Sequence, residues 1–142
     1  MLSNQVSFSL VDRGAELDLI PYAVKTGRAV IAYSPLWRGF LSTRYGLNHG
    51  PANAVRRRGL FSQESLERAQ GLFATLRGVA DAHQATPAQV ALAWVMRHPN
   101  VVAIVGASSA DQAAANAEAA DLNLNPDEVT ALTETASTFR PT

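Results

Sequence analysis

Three short apolar segments, each followed by a segment with helical periodicity, constrain this chain more than any other feature. They are residues 4–10, 29–33 and 101–105, and the last two are almost continuously apolar. Such runs are typical of parallel strands covered on both faces. Because strands that alternate with helices are joined by right-handed crossovers, the order predicts an α/β fold with parallel strands and flanking helices.

Helical signals lie between and after these strands. Residues 15–26 have apolar side chains at helical spacing and stop at Gly27, although Pro21 predicts a late start or a kink. Residues 34–60 show no periodicity of their own, which is typical of a functional or disordered connection. Further helices are predicted over residues 63–84, from the capping box at 86–89 to residue 96, from the similar box at 109–112 to residue 120, and from Asn125 to residue 138.

A sheet of three parallel strands is incomplete by itself. Its outer strands would expose unpaired backbone groups, and parallel sheets normally need cover on both faces. A closed eight-stranded barrel takes about 250 residues. This chain has 142 residues, which is near the size of half of such a barrel.

Charge and composition exclude several classes of function. Twelve basic and twelve acidic residues give a formal charge of zero, so there is no electrostatic basis for a dedicated nucleic-acid binder. Cysteine is absent and the three histidines have no metal-like spacing, so we expect no metal site. No run approaches the ~20 apolar residues of a membrane span, and the N-terminus has no leader pattern. We therefore expect a soluble, cytoplasmic protein.

Four segments resemble motifs of the aldo-keto reductase family. Residues 33–41 (YSPLWRGFL) resemble its Y-S-P-L-x-x-G-[LF]-L segment. Also similar, in the family's order, are NQV at 4–6 with Asp12-Arg13, TPAQVALAWV at 86–95, and GASSADQ at 106–112 with Asn116. The pattern is nearest to the branch that includes bacterial reductases and potassium-channel β subunits.

The resemblance implies an NADP(H)-dependent (β/α)8 TIM barrel that reduces small aldehydes and ketones to alcohols. Residues 1–142 would then form a partial domain, the C-terminal part of the barrel with its last three βα units. The family's catalytic Asp, Tyr, Lys and His lie on strands one to four, so the resemblance assigns no catalytic residue here. We therefore expect the isolated chain to be inactive.

The resemblance also assigns contacts with the coenzyme. Gln5 would hydrogen-bond the nicotinamide carboxamide, and Tyr33 would stack on the nicotinamide ring. The residues assigned to the phosphates are Ser34, Pro35, Leu36, Arg38, Arg44 and Arg56, and those assigned to the turn and helix at the adenosine end are Gly106, Ser108, Gln112 and Asn116. The last segment is also a site by its chemistry, because a glycine turn that opens a helix offers free amides to a phosphate, with the hydroxyls of Ser108 and Ser109 beside them.

A structural alternative stays open for each of these assignments. Tyr33 also fits core packing, and Gln5 fits a solvated residue near the N-terminus. The run Arg56-Arg57-Arg58 fits a solvated loop as well as a latch over the phosphates. A capped helix without a ligand would explain residues 106–116.

Two departures from the family pattern affect the cofactor. Ala115 stands where relatives usually have Glu, and residues 106–112 contain no Lys or Arg that would select NADP over NAD. Trp37 and Phe40 are predicted to wall the carbonyl pocket. Trp94 is predicted to pack in the core, and His83 and His98 to be exposed or to lie at helix ends.

A second hypothesis is a non-catalytic nucleotide-binding or interaction module. Such a module would be a split-gene subunit that needs a complementary N-terminal half, a half-barrel that self-associates through open sheet edges, or a decayed gene product. An unrelated three-stranded α/β fold is the third alternative, and it requires that all four motifs coincide by chance.

Overall fold

The computed structural model describes residues 2–44 and 60–139. Within them, three parallel strands form one sheet in the order β1 (Ser3–Ser7), β2 (Ala29–Tyr33) and β3 (Val101–Ile104). The predicted α/β fold with flanking helices is confirmed. The first strand ends at Ser7 rather than at residue 10, because Ser9 and Asp12 close a turn through reciprocal backbone hydrogen bonds of 2.9 and 3.2 Å.

The helices lie close to their predicted positions. Short 3₁₀ turns cover Gly14–Glu16, Trp37–Ser42 and Ala119–Asp121. The helices are α1 (Leu19–Lys25), α2 (Gln63–Arg68), α3 (Gln70–Ala82), α4 (Pro87–Met96), α5 (Ala110–Glu118) and α6 (Pro126–Thr138). None of these helices is both long enough and apolar enough to cross a bilayer in the part of the chain that the structure describes.

Local sequence explains most helix boundaries. Pro21 lies in the first turn of α1, where its nitrogen needs no intrahelical partner, so the helix starts late, as the sequence predicts. Gly27 follows with φ of +63°, a conformation that favours glycine after a helix. Complete capping boxes open α4 at Thr86 and α6 at Asn125.

The single helix predicted over residues 63–84 is instead two helices, α2 and α3. They meet at Ala69, whose φ and ψ of −84° and −3° depart from the helical values. Helical hydrogen bonding continues across this break, because Ala69 N donates to Ser65 O (3.1 Å) and Phe73 N donates to Ala69 O (2.9 Å).

The register of the strands separates two faces of the sheet. The face toward the helices carries Val30 opposite Val101 and Ala32 opposite Ala103, and these side chains are buried or half-buried. On the opposite face, here called the open face, the large side chains of Tyr33, Val102 and Ile104 are exposed among the described residues. It carries two rows of partners, Gln5, Ile31 and Val102 in one and Ser7, Tyr33 and Ile104 in the other.

Phe40 belongs to an aromatic cluster in the core. Its ring centroid lies 5.5 Å from that of Phe61, 5.0 Å from Phe73 and 5.2 Å from Phe139. The side chain is 1% exposed. The prediction that Phe40 walls a carbonyl pocket is therefore wrong, because its apolar ring turns inward to join three other rings.

Trp94 is fully buried, as predicted, and its contacts join α4 to α6 and to the segment after β1. Its indole Nε1 donates to Thr133 Oγ1 of α6 (3.1 Å), so the buried polar atom has a partner. The ring of Phe8 packs against it with a centroid separation of 5.7 Å. The guanidinium of Arg97 stands 3.6 Å from the centroid of the indole ring, a cation–π contact.

A cluster of charges around Glu16 joins the turn after β1 to the end of α4. The carboxylate accepts from Arg13 Nε (2.5 Å) and from Arg97 Nη2, and His98 Nε2 lies 3.5 Å away. Burial would raise the pKa of Glu16, but the Arg13 hydrogen bond and the Arg97 charge outweigh it, so this pKa lies below its usual value. Burial, aided by the Arg97 charge, lowers the pKa of His98.

Replacing Glu16 with Gln should destabilise the chain near neutral pH and much less in acid. Above the unfolded pKa of 4.5 the Glu16 carboxylate stabilises the fold fully, and this contribution disappears as pH falls through the lowered folded pKa. We expect a loss of about 1 to 2 kcal/mol at neutral pH, limited by solvent screening of the half-buried groups. Urea unfolding at neutral pH and at about pH 3 measures it.

The exposed Glu134 of α6 gives the matched control, Glu134→Gln. This variant should unfold like the wild-type chain at both pH values. An equal loss for Glu16→Gln at neutral and acid pH would show that the charge of Glu16 contributes nothing to stability.

Candidate functional site

The carboxyl ends of the three strands lie along one edge of the sheet. Tyr33 is the partner of Ser7 on one side and of Ile104 on the other. Because the strands are parallel, the segments that follow them leave from the same edge. Gly106 comes two residues after Ile104, so Tyr33 and the turn before α5 lie at the same edge of the sheet.

Gln5 and Tyr33 both belong to the open face. Gln5 is exposed, and Tyr33 is 43% exposed at the end of β2. Their partners are Ile31 and Ser7, so the two side chains occupy diagonal positions on adjacent strands. Tyr33 is thus not a core residue here, and an aromatic ring and an amide share one surface.

The loop after β2 has inward-facing side chains at its start and several residues with positive φ. Pro35 is buried, and Leu36 and Trp37 are half-buried against the core, so the side chains of these residues face inward. Positive φ angles occur at Ser34 (54°), Trp37 (47°), Arg38 (56°) and Thr43 (51°). Positive φ is uncommon for residues other than glycine and concentrates at functional sites.

Arginine side chains of this loop reach the surface. Arg38 and Arg44 are both exposed. Both belong to the segment that follows β2 in the chain, so this segment carries exposed positive charge. Arg56, the third arginine assigned to the phosphates, lies outside the described residues.

The start of α5 forms the other side of the candidate site. Residues 106–109 are exposed, and an added Cβ at Gly106 would meet no atom within 4 Å. The packing of the chain itself therefore does not require glycine at this position. The open space next to the backbone is compatible with the close approach of a ligand.

The capping box predicted at residues 109–112 is only half formed. Ser109 Oγ accepts from the backbone N–H of Gln112 (3.2 Å), as a helix cap does. The Gln112 Oε1 atom, however, accepts from the backbone N–H and the hydroxyl of Ser108 (both 2.9 Å) instead of from Ser109 N–H. The Ser108 hydroxyl proton is therefore engaged, whereas no donor contact of the Ser109 hydroxyl is seen among the described residues.

The second half of α5 is linked to α4. Gln112 and Asn116 are both half-buried and lie four residues apart, which puts them on one side of the helix. The carbonyl oxygen of Ala115, between them in sequence, accepts from Gln89 Nε2 (3.0 Å). The sequence signal for Gln89 is its place in the capping box of α4, and this signal does not reveal the contact with α5.

The histidines that the structure describes have structural partners. His83 follows α3 and its Nε2 lies 2.9 Å from Glu128 Oε1, while His98 lies beside Glu16 after α4. Both are at helix ends, as predicted, and both are half-buried. Over residues 2–44 and 60–139 no group of three or more His, Asp or Glu residues could hold a metal ion.

Comparison with known proteins relates this architecture to one family. The model of the aldo/keto reductase family matches residues 1–137. An uncharacterized oxidoreductase of Mycobacterium tuberculosis is 48% identical over 141 residues, which cover 99% of this chain and 44% of that protein. The chain thus spans less than half the length of this relative.

Solved structures are covered to a similar extent. A thermostable aldo-keto reductase in complex with the inhibitor epalrestat is 29% identical, with a TM-score of 0.66 over 95% of this chain and 40% of that one. Glycerol dehydrogenase from Gluconobacter oxydans shares the fold at 23% identity, with a TM-score of 0.85 over 99% of this chain and 43% of that one. The three strands and their helices therefore correspond to part of a TIM barrel.

Replacing Ser109 with Ala should destabilise α5 by about 1 kcal/mol, because the backbone N–H of Gln112 loses its acceptor. Hydrogen exchange of the Gln112 amide should become faster. Ser108→Ala is the matched control, since it leaves the Ser109 cap intact. Equal exchange of the Gln112 amide in the two variants would contradict the role of Ser109 as the cap.

Proposed function

The chain belongs to the aldo/keto reductase family, and from this premise we propose that it binds the coenzyme in an NADP(H)-dependent reductase of aldehydes and ketones. One observation carries the proposal. Gln5 and Tyr33 share the open face at the sheet edge from which the arginine-containing loop and the segment leading to α5 depart. In TIM barrels, ligands bind at this carboxyl edge of the strands.

The open face offers the two side chains that a nicotinamide needs. The partly exposed ring of Tyr33 supplies an aromatic surface for stacking. Gln5 supplies an amide, which both donates and accepts, as the carboxamide of nicotinamide requires. We assign Tyr33 to the ring and Gln5 to the carboxamide.

Side chains and backbone amides at the same edge of the sheet are proposed to contact the phosphates and the adenosine. Ser34, Arg38 and Arg44, with the backbone at Pro35 and Leu36, would contact the pyrophosphate, and Arg56 is proposed to add a further charge. The N-terminus of α5 supplies backbone amides and the positive end of a helix dipole. Gly106 leaves room for approach, Ser108 and Ser109 carry hydroxyls, and Gln112 and Asn116 are assigned to the adenosine end.

Bound here, NADPH supplies the hydride that reduces a carbonyl carbon. The residues of this chain bind and orient the coenzyme, with one side of the nicotinamide shielded by Tyr33. We assign the proton donor to barrel segments outside the 142 residues. The Ser109 hydroxyl and the arginines provide the proposed preference for the 2′-phosphate of NADP, and the Ser108 hydroxyl joins them on release from Gln112 Oε1.

The open face also supports the proposal that other barrel segments cover this chain. Val102 is 56% exposed and Ile104 is 46% exposed, although both are large apolar residues in a strand. β1 and β3 are edge strands in the described sheet, with unpaired backbone groups. The same surface favours the second candidate, a non-catalytic module that self-associates, and the mass of the chain in solution distinguishes the two.

Replacing Tyr33 with Ala should weaken NADPH binding about tenfold, because base–aromatic stacking is worth about 1 to 3 kcal/mol. The affinity is measured by fluorescence titration, with and without a separately expressed N-terminal part of the barrel. Tyr22→Ala is the matched control, since Tyr22 is 51% exposed on α1, away from the open face. Equal affinities for the two variants would refute the assignment of Tyr33.

The purified chain should not reduce an aldehyde at the expense of NADPH by itself. Activity should appear on addition of the N-terminal part of the barrel, because that part is proposed to hold the proton donor. The absorbance of NADPH follows the reaction. Turnover by the pure chain, with its mass verified, would show that the proton donor lies within these residues.

A further inference from the structure

Helix α5 is not fixed by the burial of its own side chains. None of its nine residues is buried, although it carries Gln112 and Asn116 and is capped by Ser109. Three of its residues are half-buried, and hydrophobic contact is non-directional, so this limited burial does not by itself define the rotation of the helix. Directional hydrogen bonds are therefore the contacts that determine how α5 presents these residues.

Gln89 of α4 supplies such hydrogen bonds. Its Oε1 atom accepts from Thr86 N (2.8 Å) and Thr86 Oγ1 (2.9 Å). Its Nε2 atom donates to Ala115 O and to Glu118 Oε2, both at 3.0 Å. The side chain is only 9% exposed, and all four of its hydrogen-bonding positions are used.

We propose that Gln89 is a positioning residue, which fixes α5 against α4 and thereby sets the part of the coenzyme site that α5 carries. The inference rests on the proposed function of the α5 residues. A capping box needs only an acceptor at this position, and Glu serves there as well as Gln. The donating half of the amide has no use in the cap, and it is this half that contacts α5.

The two contacts on α5 fix its rotation as well as its distance. Ala115 and Glu118 are three residues apart, so they lie on one side of the helix about one turn from each other. A helix held at two such points cannot turn about its axis without breaking one of the hydrogen bonds. Gln112 and Asn116 lie within one turn of Ala115 and therefore keep their direction.

Gln89→Glu separates the two roles of the side chain. The carboxylate still accepts from Thr86, but it cannot donate to Ala115 and it places a second negative charge beside Glu118. We expect amide exchange in α5 to accelerate about tenfold while α4 is unchanged, and NADPH to bind about tenfold more weakly. In the reconstituted enzyme the KM for NADPH should rise while kcat is kept, whereas a general loss of folded protein would lower the apparent kcat.

A second substitution tests the same contact by rescue. In Gln89→Glu/Glu118→Gln, the new amide at 118 donates to the new carboxylate at 89, so one hydrogen bond is restored with its direction reversed. Slow exchange in α5 and most of the NADPH affinity should return. Glu118→Ala alters only an exposed residue and should give an intermediate acceleration, and it replaces Gln89→Glu in the comparison if that variant does not fold.

Thr86→Ala is the matched control. It removes the hydroxyl of the cap and lowers stability, but it leaves both donors of Gln89 in place, so exchange in α5 should not change. Wild-type exchange in α5 of Gln89→Glu, a failure of the double variant to rescue, or unchanged NADPH affinity despite faster exchange would each overturn the inference. If the wild-type chain and its N-terminal complement bind no NADPH, the proposed function fails, and the exchange data alone decide whether Gln89 positions α5.

Discussion

The backbone hydrogen bonds that pair β2 with β1 and β3 determine which side chains can act together. They put Ser7, Tyr33 and Ile104 in one row and Gln5, Ile31 and Val102 in the next. A shift of one residue in β2 would turn Tyr33 toward the helices and expose Ala32, because successive side chains point to opposite faces. The placement of the proposed nicotinamide residues therefore depends on this register more than on any side-chain contact.

The two faces of the sheet differ in what they contribute. The helix side is a conventional core, in which Phe8, Val30 and Trp94 are fully buried. On the open face, Val102 and Ile104 remain about half exposed, so further burial there would be favourable by roughly 25 cal/mol per Å² of apolar surface. The proposed binding of a coenzyme and the proposed covering by further barrel segments thus involve one surface, so this proposal couples the stability of the chain to its function.

Local patterns predict the elements well and their mutual contacts poorly. The apolar runs locate all three strands, and Thr86 and Asn125 locate the starts of α4 and α6, because strand burial and helix caps are encoded within a few residues. Phe40 is mispredicted because its three aromatic partners are distant in sequence. The capping pattern correctly predicts the contact of Gln89 Oε1 with Thr86. The Nε2 atom instead donates to Ala115 and Glu118, which only the tertiary fold brings close.

Helix α4 orients the exposed segments that contact its two ends. Seven of its ten residues are buried, so apolar packing holds it firmly against the sheet and α3. Polar contacts are made at both of its ends: Arg97 forms an ion pair with Glu16 at the C-terminal end, and Gln89 donates a hydrogen bond to α5 near the N-terminal end. Because each of these polar groups has fixed partners, the well-packed helix α4 determines the orientation of α5, in which no residue is fully buried. The residues proposed to hold the coenzyme can for this reason remain exposed and still keep a defined geometry.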